Sequence, residues 1–71
     1  MSHGVEHIHV NGQLRVWVPT VASLLVELGV APQQSGIAVA VNRMVVPRNR
    51  WALHNLAAGD HVEVVAATQG G

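Results

Sequence analysis

Between Val18 and Val21 the spacing of apolar residues changes from every second position to every third or fourth, and at Ile37 it changes back. In a chain of 71 residues, one switch in each direction leaves room for a single helix held against strands. Upstream, Ile8 and Val10 alternate with His7 and His9, and Leu14, Val16 and Val18 alternate with Arg15 and Trp17, the period of half-buried strands. Asn11-Gly12 between the runs signals a hairpin. A two-residue loop sets Val10 against Gln13 and Ile8 against Arg15, mixing apolar and polar side chains on one face. One more loop residue, with a bulge at Gly12 or Gln13, sets Val10 against Leu14 and Ile8 against Val16, so a three-residue connection is expected.

Thr20 is a good N-cap for Val21, Leu24, Leu25 and Leu28, which recur at i, i+3, i+4 and i+7. Gly29 should end this helix in a left-handed cap, and Pro32 prevents its continuation. Pro32 to Gly36 reads as a surface loop. Ile37, Val39 and Val41 alternate with Ala38 and Ala40 as a third strand, expected to be central. Asn42-Arg43 turns the chain into a short fourth strand, Met44 to Val46, stopped by Pro47. Arg48 to Leu56 is irregular or a single helical turn, and Ala58-Gly59-Asp60 leads into a last strand carrying Val62 and Val64. The order is strand, strand, helix and three strands. It predicts an α+β fold, a ubiquitin-like β-grasp with a mixed sheet of four to five strands packed on one helix. The last strand then lies inside the sheet. Residues 1–66 form the domain, and residues 67–71 form a flexible tail ending in Gly70-Gly71.

The chain is 49% hydrophobic, mainly Val, Ala and Leu with no Phe or Tyr, which is enough for one aliphatic core and too short a chain for two. Formal net charge is zero, so no electrostatic footprint for nucleic acid or an acidic membrane is present. With no cysteine there is no disulfide scaffold and no thiolate zinc site. No secretory signal or membrane-crossing run is visible, and a cytoplasmic protein is expected.

His7 and His9 share a strand face and could hold a metal with His61 nearby, but solvated histidines are the better reading and no metal is expected. Trp17 falls on the outward face, where it marks a docking surface or packs over the sheet edge. Trp51 is expected to fill a small secondary core under the Arg48–Leu56 loop, with Arg48 and Arg50 as solvated neighbours. Arg48 is also a candidate docking residue. Asp60 reads as a turn residue accepting a backbone hydrogen bond. There is no nucleophile with an adjacent base, no paired carboxylates and no phosphate loop, so the chain is not expected to be an enzyme. The chemistry-bearing feature is the carboxylate of Gly71, on a backbone without side chains to block a narrow pocket. Glycine leaves that carbonyl open to attack, and Gly70 can adopt positive φ.

Val10-Asn11-Gly12, Thr20-Val21, Leu24-Leu25, Leu28-Gly29, Ala40-Val41-Asn42, Val46-Pro47-Arg48 with Trp51, Leu56, Gly59-Asp60 and Gly70-Gly71 together resemble the ThiS family of thiamine-biosynthesis sulfur carriers. The resemblance implies that a ThiF-type adenylating enzyme uses ATP and Mg to convert the Gly71 carboxylate to an acyl-adenylate. A sulfur donor such as a cysteine desulfurase or rhodanese then leaves a thiocarboxylate, which passes its sulfur to a ThiG-type thiazole synthase. Gly71 is the acceptor, Gly70 and Gln69 are the tail recognition residues, and no cofactor is bound. Two alternatives stand beside this: a carrier for molybdopterin, cysteine or another sulfur metabolite, and a non-catalytic β-grasp interaction module. Conjugation to other proteins is the weaker reading, because a chain without lysine cannot build side-chain-linked polymers.

Overall fold

The computed structural model describes residues 4–31 and 33–67. Its elements follow the expected order: β1 (His7–Val10), β2 (Gln13–Val16), α1 (Val21–Glu27), β3 (Ile37–Val41), β4 (Met44–Val45), a 3₁₀ turn at Arg48–Arg50, and β5 (His61–Ala66). They form one five-stranded sheet in the order β2-β1-β5-β3-β4. β5 runs parallel to β1 and antiparallel to β3, so the last strand occupies the centre of a mixed sheet. β3 lies next to it rather than at the centre.

The first hairpin departs from expectation. β1 and β2 pair His7 with Val16, Ile8 with Arg15, His9 with Leu14 and Val10 with Gln13, which is the two-residue connection. Asn11 and Gly12 adopt φ 51 and 82, the left-handed pair of a type I′ turn whose twist matches that of the strands it joins. This local preference outweighs the apolar match of the bulged register. Leu14 and Val16 consequently lie on the open face of the sheet, 62% and 58% exposed. Arg15 turns toward the helix side and approaches Glu27, with Nη2 3.9 Å from Oε1.

The helix is capped at both ends as its sequence suggests. Thr20 is extended and its Oγ1 accepts the Ser23 N–H at 3.1 Å. At the other end Gly29 has φ 82, its N–H bonds the Val26 carbonyl at 3.0 Å, and the Val30 N–H reaches back to Leu25 O at 2.9 Å. That pair of bonds is a Schellman motif, with Val30 and Leu25 both at the core. Seven residues form a helix too short to persist alone in water, so its stability comes from burying Val21, Leu24 and Leu25. Thr20→Ala is expected to cost about 1 kcal/mol, read as a lower urea midpoint with an unchanged slope.

One core lies between helix and sheet: Ile8, Val10, Val39, Val41 and Val62 from the sheet meet Val21, Leu24 and Leu25, with Val18, Val46, Trp51 and Leu56 closing the ends. Trp51 therefore belongs to the main core, not to a separate one beneath its loop. It is 6% exposed and donates its indole N–H to Val46 O at 2.8 Å.

A second type I′ turn joins β3 to β4, where Asn42 and Arg43 have φ 50 and 71. Asparagine tolerates that region and arginine does not, since its Cβ crowds the following carbonyl. Arg43→Gly is expected to stabilise the domain by about 0.5–1 kcal/mol, the relieved strain exceeding the added freedom of the unfolded chain. A lower melting temperature in calorimetry would contradict this.

Candidate functional site

The site is built around the end of the central strand. β5 passes between β1 and β3, and after Ala66 its last described residue, Ala67, donates its N–H to Gly36 O at 2.7 Å. Gly36 has φ 77, and a Cβ there would stand 3.5 Å from the Ala67 Cβ. Residues 68–71, with the expected acceptor Gly71 and the tail residues Gly70 and Gln69, lie outside the described residues. A segment of that length spans at most about 14 Å. Residue 71 thus lies within about that distance of Ala67, in reach of the Ala67 end of the sheet for contact with the folded body.

The open face of the sheet is available for such contact. Register places Leu14 and Val16 of β2, His9 of β1, His61, Glu63 and Val65 of β5, and Ala38 and Ala40 of β3 on it. Val65 is 60% exposed beside Ala38, close to the exit of the tail. Ala38 and Ala40 keep this face low on β3, between Val65 of β5 and Val45 of β4, and His9, His61 and Glu63 separate them from Leu14 and Val16. Leu14 and Val16 are the residues that sequence reasoning missed here. The Asn-Gly dipeptide was the signal for them, since its preference for a two-residue loop moves both to the outside.

Two asparagines hold the central strand in place. Asn11 Oδ1 accepts the Val64 N–H at 2.9 Å and its Nδ2 donates to Val64 O at 3.2 Å. Asn42 Oδ1 accepts the His61 N–H at 3.0 Å and its Nδ2 donates to Asp60 Oδ1 at 3.0 Å. Asp60 in turn accepts the Ala57 N–H at 2.8 Å on Oδ2, the turn role expected of it.

Trp17 and Arg48 are both engaged within the fold. Trp17 donates its indole N–H to Leu56 O at 2.7 Å, tying the end of the first hairpin to the last loop, and remains 38% exposed. Arg48 lies over the Trp51 ring, 4.5 Å from its centroid, and donates to the Gln34 carbonyl. His9 and His61 are neighbours in the parallel ladder and their rings stack, with centroids 4.3 Å apart. Among the described residues no three His, Cys, Asp or Glu side chains come together to hold a metal. None of the described helices is long and apolar enough to cross a membrane.

Fold and site define a β-grasp domain whose last strand, β5, runs in the middle of the sheet. The ThiS family model matches residues 8–71. Sulfur carrier protein ThiS of Escherichia coli (strain K12) is 38% identical over 52 residues, 73% of this chain and 76% of that protein. The crystal structure of a thiamine biosynthesis protein (ThiS) from Geobacter metallireducens aligns with a TM-score of 0.74 at 29% identity, over 92% of this chain and 99% of that one. An NMR solution structure of a thiamine biosynthesis protein from the same organism aligns with a TM-score of 0.72 at 29% identity, over 92% and 87%. This chain belongs to the ThiS family.

Proposed function

We propose that the protein is a sulfur carrier for thiamine biosynthesis, with the α-carboxylate of Gly71 as the sulfur acceptor. Membership of the ThiS family, through a match that runs to residue 71, is the observation that carries this reading. The carboxylate attacks the α-phosphate of MgATP held by a ThiF-type adenylating enzyme, and pyrophosphate leaves. The terminal sulfur of a persulfide on a cysteine desulfurase or a rhodanese attacks the acyl carbon and AMP leaves; a second thiol then cleaves the acyl disulfide, pairing with the donor's own sulfur as a disulfide and releasing the thiocarboxylate. The resulting thiocarboxylate serves a ThiG-type thiazole synthase in the cytoplasm. The carrier catalyses none of these steps and binds no cofactor of its own.

The body contributes position. Gly70 and Gln69 thread the partner's channel, where glycine admits backbone conformations closed to other residues. The open sheet face beside Val65 and Ala38 meets the partner, with Leu14 and Val16 as apolar contacts, while the other two docking candidates, Trp17 and Arg48, sit on the helix side against the Leu56 carbonyl and the Trp51 ring. Apolar area of this kind on a small domain suits a docking surface, because aliphatic side chains are desolvated there at little cost.

The test is intact mass. The full chain, incubated with the cognate adenylating enzyme, ATP and a sulfur donor, gains the difference between one sulfur and one oxygen. An unchanged mass with an enzyme shown to release pyrophosphate on another carrier overturns the reading. Loading that occurs only with the adenylating enzyme of molybdopterin synthesis assigns the carrier to that pathway instead.

A further inference from the structure

We propose that His9 and His61 form a surface site for a divalent transition-metal ion of the zinc type, bound by two imidazoles with water completing the shell. The site lies on the open sheet face and is independent of the chemistry proposed for Gly71.

The parallel register sets His9 directly beside His61, and their rings are 4.3 Å apart at an interplanar angle of 3°. Backbone hydrogen bonds fix both positions without help from an ion. The His9 N–H bonds Asp60 O at 2.9 Å, the Asn11 N–H bonds Val62 O at 2.9 Å, and Asn42 Oδ1 accepts the His61 N–H at 3.0 Å. The entropy of bringing together two ligands 52 positions apart in sequence (61 minus 9) is thus met by folding, and binding has only two side chains left to order. In parallel rings the lone pairs run parallel, so a shared ion at about 2.0–2.1 Å from each nitrogen requires the rings to splay. Ligation and stacking therefore exclude one another, which gives the site a spectroscopic signature.

The donor set selects the ion. Imidazole nitrogens suit zinc, copper or nickel and are poor ligands for calcium or magnesium. Glu63 follows His61 on the same face and favours a cation, while Arg43, which lines the same depression, opposes one. No third protein ligand joins the pair among the described residues, so the site is open and exchangeable, unlike a closed structural zinc centre.

The probe is zinc chloride alone, titrated into the full chain in a buffer that does not chelate. Histidine side-chain nitrogen–proton correlations are followed by NMR. The His9 and His61 ring signals are expected to move together along one saturating curve with a single equivalent of zinc. His9→Gln and His61→Gln should each weaken binding by at least about tenfold, since each removes one of two ligands. Both should keep a dispersed amide spectrum, and His7→Gln should leave the curve unchanged. The proposal is overturned if the two rings fail to shift, if only His7, His54 or the amino-terminal residues respond, or if either single variant binds zinc as tightly as the unaltered chain.

Discussion

A chain lacking Gly71 is expected to fold as the complete one does and to accept no sulfur. Among the described residues β5 ends at Ala66, and the last backbone bond is from Ala67 to Gly36. The shortened chain still ends in a glycine carboxylate, so its intrinsic reactivity is intact. What changes is where that group arrives, since removing one residue retracts it by about 3.5 Å. Reacting atoms must approach within about 3–3.5 Å, and a misplacement of even ~1 Å costs on the order of a hundredfold, so adenylation should fall by at least that factor. A carrier docked through its sheet face cannot slide forward to compensate without giving up the apolar contacts at Leu14, Val16 and Val65. Intact mass after incubation with enzyme, ATP and sulfur donor gives the loading, and an amide spectrum matching that of the full chain gives the fold. Loading within about tenfold of the complete chain would mean that the end is not held in register, and the carrier reading would lose its physical basis.

The parts of the fold legible in the sequence are those whose causes are local. Thr20 and Gly29 mark the helix because caps act within one turn, and the alternation from Ile37 to Val41 marks a strand because its neighbours lie two residues away. The hairpin turn was legible at Asn11-Gly12, but its length was not. There two local rules conflicted, and the turn's backbone twist prevailed over the matching of apolar partners. Contacts made by distant strands left no periodic trace. The paired bonds from Asn11 to Val64 join residues 53 apart, and the Asn42 side chain reaches the backbone of His61, 19 residues away. In sequence both asparagines are only turn residues. The stacked histidines show the same limit: alternation puts His9 on the open face, but only the parallel pairing of β1 with β5 brings His61 beside it. The location of Trp51 in the main core likewise depends on the loop folding back under the helix, a step with no spacing to announce it. On the functional side the open face around Leu14 and Val16 was hidden by the register of the hairpin.

Trp51→Ala is expected to bring the domain to the edge of unfolding. Trp51 closes one end of the core at 6% exposure, and three contacts converge on it: its indole N–H on Val46 O at 2.8 Å, its own carbonyl accepting the Ala22 N–H at 3.0 Å, and the Arg48 guanidinium over its ring. Truncating a buried aromatic costs about 3–5 kcal/mol through lost burial and the cavity left behind. At roughly 0.05–0.15 kcal/mol per residue the whole domain has only some 4–10 kcal/mol to lose. A change of that size should lower the melting temperature by more than about 12 °C, at about 4–8 °C per kcal/mol for a domain of this length. Trp51→Phe separates the contributions: the ring largely remains and the N–H goes, leaving the Val46 carbonyl without its donor at a cost of about 1–3 kcal/mol. Urea denaturation of both variants gives the ordering, with the alanine variant the less stable. Sulfur loading of Trp51→Ala should follow its folded fraction and recover on mild cooling, because the residue supports the body from within the core. A variant that is fully folded at the loading temperature yet fails to load would instead put Trp51 in the docking surface.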